Sequence, residues 1–184
     1  SHLVLLAEND TGYRNLMHLV SLAHLQGFYY KPRIDLDLLH EYGSGLIALS
    51  GCLAGQIPAL LYQENYAEAR KKAGELRDIF GRNFYLEVQD HGLAEQKAVN
   101  PRLLRLGQEL GLPVVATNDL HYIRQQDAAI QDVLLCIQTG KILGDPDRSL
   151  RFTGQEFYLK SASEMQLLFG ERPNLLKNTL EIAD

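Results

Sequence analysis

The sequence predicts an α/β fold with mainly parallel strands, and two observations lead to this prediction. A short apolar run followed by a turn and a segment with helical periodicity occurs four times along the 184 residues. The chain is also 46% hydrophobic and 22% charged, which is enough apolar material for one sizeable core. Because strands that alternate with helices usually pair in parallel through right-handed crossovers, we expect a layered sheet or part of a barrel.

The first two strands are predicted at HLVLLA (2–7) and GLIALSG (45–51). A helix follows the first strand at 15–27, where four apolar residues share one face and Gly27 is expected to end the helix; these are Leu16, Leu19, Val20 and Ala23. After the second strand, a helical segment runs from about 57 to 80 and ends at the predicted C-cap Gly81.

The third and fourth strands are predicted at FYLEVQ (84–89) and PVVAT (113–117). The third strand precedes a helical segment at 94–111, in which Asn100-Pro101 is typical of a helix cap and first turn. The fourth strand precedes a helix at 125–140. These two units repeat the order of the first two.

The C-terminal part of the chain has a different pattern. Gly, Pro, Asp and Ser gather at 143–154, which predicts a loop, and EFYLK (156–160) predicts a short strand. The spacing of Ser161 and Glu164 indicates a capping box at the start of a helix. A last helix is expected at about 174–183.

Charge and cysteine content restrict the classes of function. A net charge of −5 and a pI near 5.7 provide no general attraction for nucleic acid, so any DNA contact must be local or come from another region. Two cysteines make no disulfide framework, and no signal peptide or membrane-spanning apolar run appears. We therefore expect a cytoplasmic protein without a membrane partner. Since the chain opens almost directly in a strand without Met, we expect it to be part of a longer polypeptide.

Polar side chains follow three of the predicted strands. Cys52 follows the second, Asp90 and His91 the third, and Asp119 and His121 the fourth. Sites in α/β sheets form where strands end, and residues two apart on extended backbone point to the same side. Cys, His and Asp together suit zinc, manganese or iron. The pattern therefore indicates a metal site, with Asp119 and His121 converging on it.

Each of these candidates also has a structural interpretation. Cys52 alone is more often a small buried hydrophobe, and Asp119 alone can cap the next helix or turn. Asp90 can be a helix N-cap with His91 as a surface loop residue. Three further histidines lie in helical segments and are expected to have no metal role; they are His18, His24 and His40.

Other chemistries have little support in the sequence. A phosphate-binding loop before Lys141 would need glycine where Leu135 stands, and no Ser or Thr follows the lysine. Cys52 with a histidine and an aspartate lacks the local motif of a cysteine hydrolase. The basic clusters at 31–33 and 70–72 are typical of solvated faces, with phosphate contact as the alternative interpretation.

Six collinear blocks closely resemble the PHP (polymerase and histidinol phosphatase) domain at the amino end of bacterial DNA polymerase III alpha subunits. The resemblance extends over essentially the whole chain. The blocks are HLVLLAENDTGYRNLMHLVSLAHLQGFYYKPRID, GLIALSGCLAG, FYLEVQDHGLAEQKAVN, LGLPVVATNDLHY, DVLLCIQTGK and EFYLKSASEM. The resemblance implies part of a distorted (β/α)7 barrel at 1–155, with 156–184 as a strand and helices that lead toward the polymerase region.

The resemblance also implies four metal ligands in this chain: His2, Cys52, Asp119 and His121. Asp119 and His121 are the implied catalytic residues, and the implied ions are zinc or manganese. The family's remaining ligands, including a His-x-His segment, are expected upstream of Ser1, so we expect this fragment to be catalytically inefficient. Asp90-His91-Gly92 does not correspond to the family's upstream Asp-His-Gly segment and remains unassigned.

The implied activity of an intact domain is hydrolysis of a phosphodiester at a DNA 3′ end, a 3′-5′ proofreading exonuclease. The implied parent is a DNA-directed DNA polymerase, a nucleotidyltransferase of DNA replication whose magnesium-dependent chemistry lies far downstream. Implied partners are DNA, a separate exonuclease subunit and a sliding clamp. The alternative is a non-catalytic scaffold that stabilises the polymerase and docks a separate exonuclease; a phosphatase acting on a small phosphate ranks third.

Overall fold

The computed structural model describes residues 1–184 as a four-stranded sheet with helices on both faces. The strands are β1 (Val4–Ala7), β2 (Leu46–Leu49), β3 (Phe84–Val88) and β4 (Val114–Ala116). The helices are α1 (Asp10–Leu25), α2 (Leu36–Tyr42), α3 (Gln56–Tyr62), α4 (Tyr66–Phe80), α5 (Ala94–Leu110), α6 (Ala128–Thr139), α7 (Ala162–Phe169) and α8 (Pro173–Ala183). The predicted α/β class with mainly parallel strands is confirmed, and no helix is both long and apolar enough to cross a membrane.

The order of strands in the sheet is β1-β2-β3-β4, and the last three are parallel as predicted. The expectation that β1 also pairs in parallel is wrong, because β1 runs antiparallel to β2. The connection between them contains two helices, α1 and the unpredicted α2, whereas a single helix makes the usual parallel crossover. As a result, the beginning of β1 lies at the same edge of the sheet as the carboxyl ends of the other strands.

Three local predictions differ from the structure. The segment 57–80 forms two helices, because the chain turns between them at Glu64, a non-glycine residue with φ of 62°. Pro101 lies inside α5 and does not open it; the Asn100 amide instead donates 2.9 Å to the carbonyl of Gln89. Residues 156–160 form only an isolated bridge, Tyr122 to Tyr158, and no strand.

Helix ends follow the sequence more closely. α4 ends at Gly81, which takes a positive φ of 57°, and Ser161 and Glu164 form the predicted capping box of α7. α1 begins earlier than predicted, at the N-cap Asn9, whose side chain accepts a hydrogen bond from Gly12 N. Val20 was expected on the buried face of that helix but is 52% exposed.

Helices pack on both faces of the sheet. Alternate strand residues such as Ala48, Leu86 and Ala116 join a core of 19 buried residues with the first five helices and with Leu175 of α8. The intervening residues, among them Ile47 and Val115, pack on the other face against Ile182 of α8. α8 thus covers β4, and the proposed division of the chain at residue 155 stays a prediction.

Candidate metal centre

The predicted ligands come from one edge of the sheet. Cys52 follows β2 and Asp119 follows β4, at the carboxyl ends of parallel strands, while His2 precedes the antiparallel β1. A parallel β1 would have placed His2 at the opposite edge, some four residues of extended chain away. The strand direction that the sequence did not predict therefore brings His2 to Cys52.

His2 and Cys52 form the first pair of donors. The His2 backbone N–H donates 3.0 Å to the carbonyl of Ala54, and His2 bridges in parallel to Gly55. These contacts hold the His2 Nδ1 atom 3.8 Å from the Cys52 Sγ atom. Cys52 is half-buried, so the alternative of a fully buried small hydrophobe does not describe it.

Asp119 and His121 form the second pair. The Asp119 Oδ1 atom lies 3.3 Å from His121 Nε2, and each side chain is about one third exposed, at 33% and 34%. The predicted convergence of these side chains is confirmed. Asp119 caps no helix, since the next helical turn has Arg124 as its N-cap and Asp127 as the partner in its capping box.

Aromatic residues from the C-terminal part of the chain support the second pair. The His121 ring contacts the rings of Phe152 and Phe157, with centroids 4.4 Å and 5.7 Å away. The His121 backbone N–H also donates 2.9 Å to the carbonyl of Phe157. The segment 156–160, which was predicted to be a strand, thus covers the Asp119–His121 loop.

The donor separations suit coordination within each pair. Typical zinc bond lengths and tetrahedral angles place a sulfur and a nitrogen ligand about 3.6 Å apart, and an oxygen and a nitrogen ligand about 3.4 Å apart. The observed separations of 3.8 Å and 3.3 Å are close to these values. The separation within each pair therefore matches that of two ligands of one tetrahedral ion.

The structure does not gather all four predicted ligands into one cluster. No group of three or more His, Cys, Asp or Glu side chains is arranged to hold a metal ion. The two pairs have the donor chemistry that zinc or manganese requires, but each lies apart as a pair. The assignment of these residues as ligands remains a prediction.

His91 is not the surface loop residue that the sequence suggested, because it is only 3% exposed. Its ring stacks on Phe157 with centroids 4.5 Å apart and planes 1° from parallel. Asp90, the suggested helix cap, instead accepts a hydrogen bond from Gly92 N within a turn. Burial, assisted by the nearby Lys160 ammonium, lowers the pKa of His91 below its usual 6.5.

Neighbouring groups contact both ring nitrogens of His91. Gln96 Oε1 accepts from the His91 backbone N–H at 2.7 Å, and Gln96 Nε2 lies 3.0 Å from Nδ1. His91 Nε2 accepts a hydrogen bond from the Asp119 backbone N–H at 3.2 Å and lies 3.2 Å from Asn118 Oδ1. The buried ring therefore connects the end of β3 to the loop that carries Asp119.

Two polar residues of β3 and its end escaped the sequence analysis, although they are buried beside the candidate ligands. Glu87 and Gln89 are 6% and 7% exposed. The signal was present in the sequence, because two polar residues two apart on a buried strand place polar groups on one face. The Glu87 and Gln89 side chains on that face point toward the ends of β2 and β4.

The remaining sequence candidates lie outside this arrangement. His18, His24 and His40 are exposed on helices, as predicted. The Arg33 guanidinium lies on the exposed Tyr29 ring, 4.8 Å from its centroid. A cavity of about 650 Å³ is lined by Arg33, His2 and other residues along the side of β1 that pairs with no other strand.

Comparison with known proteins finds a family match for part of the chain and relatives over its whole length. Residues 1–91 match the PHP domain, a range that includes His2 and Cys52 but not Asp119 and His121. The DNA polymerase III subunit alpha of Treponema pallidum is 52% identical over 99% of the chain, and that of Thermus aquaticus is 48% identical over 99%. The corresponding subunit of Borreliella burgdorferi is 45% identical over 100% of the chain.

Residues 1–91 therefore belong to the PHP domain family. Over its whole length the chain is homologous to alpha subunits of DNA polymerase III, and the predicted resemblance is confirmed. It spans 16% of the length of the Treponema relative and 15% of the Thermus relative. It thus corresponds to a small part of each relative.

Proposed function

We propose that the chain is a metal-binding segment of a replicative DNA polymerase alpha subunit, with His2, Cys52, Asp119 and His121 as ligands. The observation that supports this most directly is the presence of two donor pairs at one edge of the sheet, spaced 3.8 Å and 3.3 Å as ligands of one ion are spaced. Homology of the whole chain to DNA polymerase III alpha subunits supports the same assignment.

In an intact domain, the proposed reaction is hydrolysis of the terminal phosphodiester at a DNA 3′ end. Zinc or manganese would supply a water of lowered pKa and positive charge against the phosphate. His2 and Cys52 would bind from one side of the sheet edge, through a nitrogen and a sulfur. Asp119 and His121 would bind from the other side. The Asp119 carboxylate would be able to contact two ions. The His121 imidazole would be held in place by its contact with Phe152.

The wider setting of this proposal is DNA replication in the cytoplasm. The longer polypeptide would act as a DNA-directed DNA polymerase with magnesium ions elsewhere in its sequence, and it would meet DNA, a proofreading exonuclease and a sliding clamp. We propose that the 184-residue chain alone hydrolyses DNA poorly, because four ligands in two pairs leave coordination positions open.

A specific observation favours the alternative of a non-catalytic scaffold. No three candidate ligands come together, so the edge of the sheet is arranged as two polar pairs. Buried hydrogen bonds to Glu87 and His91 would stabilise such an edge without any ion. In this alternative, the domain stabilises the polymerase and docks a separate exonuclease subunit.

Calorimetric titration of the chain with zinc and with manganese tests ligation. We expect binding by the unaltered chain and at least roughly tenfold weaker binding by Asp119→Ala or Cys52→Ser. His40→Ala is the matched control, because His40 is an exposed helical histidine that is not a proposed ligand. Equal binding by all four proteins would remove the ligand assignment.

A second assay separates the two candidate functions. A full-length alpha subunit with this sequence is given DNA with a mismatched 3′ nucleotide in the presence of manganese. Loss of excision in Asp119→Ala, with polymerase activity retained, supports the exonuclease. Excision that is equal in the variant and the parent would exclude it and favour the scaffold.

A further inference from the structure

We propose that Glu87 is a positioning residue that holds the Cys52 turn and the Asp119 loop in register. This inference rests on the proposed metal function for its purpose, but its geometry is independent of any ion. Glu87 belongs to β3, the strand between the two that carry these loops, and its side chain reaches both neighbours. Glu87 is not one of the four proposed ligands.

The two carboxylate oxygens of Glu87 contact opposite neighbours. Oε2 accepts a hydrogen bond from the backbone N–H of Gly51 at 3.1 Å. Oε1 accepts one from the Thr117 hydroxyl and one from Gln89 Nε2, the latter at 2.8 Å. Gly51 directly precedes Cys52, and Thr117 lies two residues before Asp119. One side chain thus links the backbone of one loop to the start of the other.

The backbone around Glu87 strengthens this link. The Glu87 N–H donates 2.9 Å to Ser50 Oγ, so the end of β2 is bound to Glu87 through both main chain and side chain. Thr117 N donates 3.0 Å to the carbonyl of Val88. The Glu87 side chain therefore adds a link between the loops to contacts that the main chain already makes between the strand ends.

The Glu87 carboxylate is surrounded by hydrogen-bond donors. The Gly51 N–H, the Thr117 hydroxyl and the Gln89 amide donate to it, and the residue is only 6% exposed. A glutamine could still accept from Gly51 and donate to Thr117, because a hydroxyl also accepts, whereas a leucine offers no hydrogen bond to either loop. Because buried donors left without a partner are costly, Glu87→Leu should loosen both loops.

A metal site would need the link made by Glu87, because metal coordination tolerates little movement of the ligands. Ligand distances vary by only about 0.2 Å, so two loops on different strands need a common support. Partners that orient ligands typically change metal affinity by roughly 10- to 100-fold when they are removed. Glu87 contacts the residue before one proposed ligand and a residue close to another, which is the position expected of such a partner.

The test compares Glu87→Leu with the unaltered 184-residue chain by amide hydrogen exchange, by alkylation of Cys52 and by zinc titration. We expect Gly51 to exchange roughly 10- to 100-fold faster, Cys52 to react faster, and zinc to bind roughly 10- to 100-fold more weakly. Cys136 is buried and serves as the unreactive internal reference in the alkylation experiment.

Asn178→Ala is the matched control for a general loss of stability. Its amide donates 2.7 Å to the carbonyl of Val114, at the opposite end of β4. We expect this variant to unfold more easily while Gly51 exchange and zinc affinity stay at the level of the unaltered chain. A control that reproduced the Glu87→Leu changes would show that Glu87 is merely structural and would overturn the proposal.

A second pair of variants decides the matter if Glu87→Leu does not fold. Thr117→Ser keeps the hydroxyl and is expected to behave as the unaltered chain, whereas Thr117→Val is expected to loosen Gly51 and weaken zinc binding. Equal behaviour of the two variants would contradict the link through Thr117. If the unaltered chain binds no zinc but Gly51 and Cys52 respond as expected, the ligand assignment fails and the positioning role stands.

Discussion

Substitution of Gly55 by alanine should disturb the first donor pair. A Cβ atom on Gly55 would lie 2.2 Å from the carbonyl oxygen of Ser50 and 3.0 Å from that of Cys52. Ordinary contact begins at 3.4 Å, so the displacement from Ser50 must be about 1.2 Å, and both atoms belong to the backbone. His2 bridges to Gly55 and moves with it.

This displacement is several times the roughly 0.2 Å that metal coordination tolerates. We expect Gly55→Ala to lower the free energy of unfolding by about 1–3 kcal/mol, as overpacking does. We also expect zinc affinity to fall by roughly 10- to 100-fold, because the His2 and Cys52 donors separate. Urea unfolding measures the first effect and calorimetric titration of the folded protein the second.

Gly74→Ala provides the matched control, since no atom lies within 4 Å of its Cβ position in the helix α4. The same chemical change there should stabilise the chain by about 1 kcal/mol and leave zinc affinity unaltered. The reasoning is refuted if Gly55→Ala unfolds at the same urea concentration as the unaltered chain and binds zinc equally well.

Three further predictions concern stability. Hydrogen bonds from Ser161 and Tyr158 lower the pKa of Glu164 from 4.5 to about 2. The stabilising contribution of the Glu164 carboxylate is therefore present above pH 4.5 and is lost as the pH falls toward 2. The difference in urea midpoint between the unaltered chain and Glu164→Gln should shrink over that pH range. Arg148→Met should lower the thermal midpoint, because the 97%-buried guanidinium makes two hydrogen bonds to one carboxylate, and an unchanged midpoint would contradict its importance. Leu106→Ala, at 0% exposure, should cost about 2–5 kcal/mol in chemical unfolding, and a cost near zero would contradict its place in the core.

Part of the candidate site could be predicted because it depends on local patterns. Asp119 and His121 are two residues apart beyond a strand, and extended backbone alone brings such side chains to one side. The pairing of His2 with Cys52 depended on residues 50 positions apart and came only from the family resemblance. The polar side chains of Glu87 and Gln89 were visible in the sequence, but their partners belong to neighbouring strands.

The sequence by itself determined the α/β class, the parallel order of the last three strands, several helix ends and the chemical types of the donors. These depend on periodicity, caps and residue identity, which act over a few positions. Only the tertiary structure decided that β1 runs antiparallel, that His91 is buried, and that the four candidate ligands form two pairs. The physical reason is that strand direction and burial depend on contacts between segments distant along the chain, which no local pattern encodes.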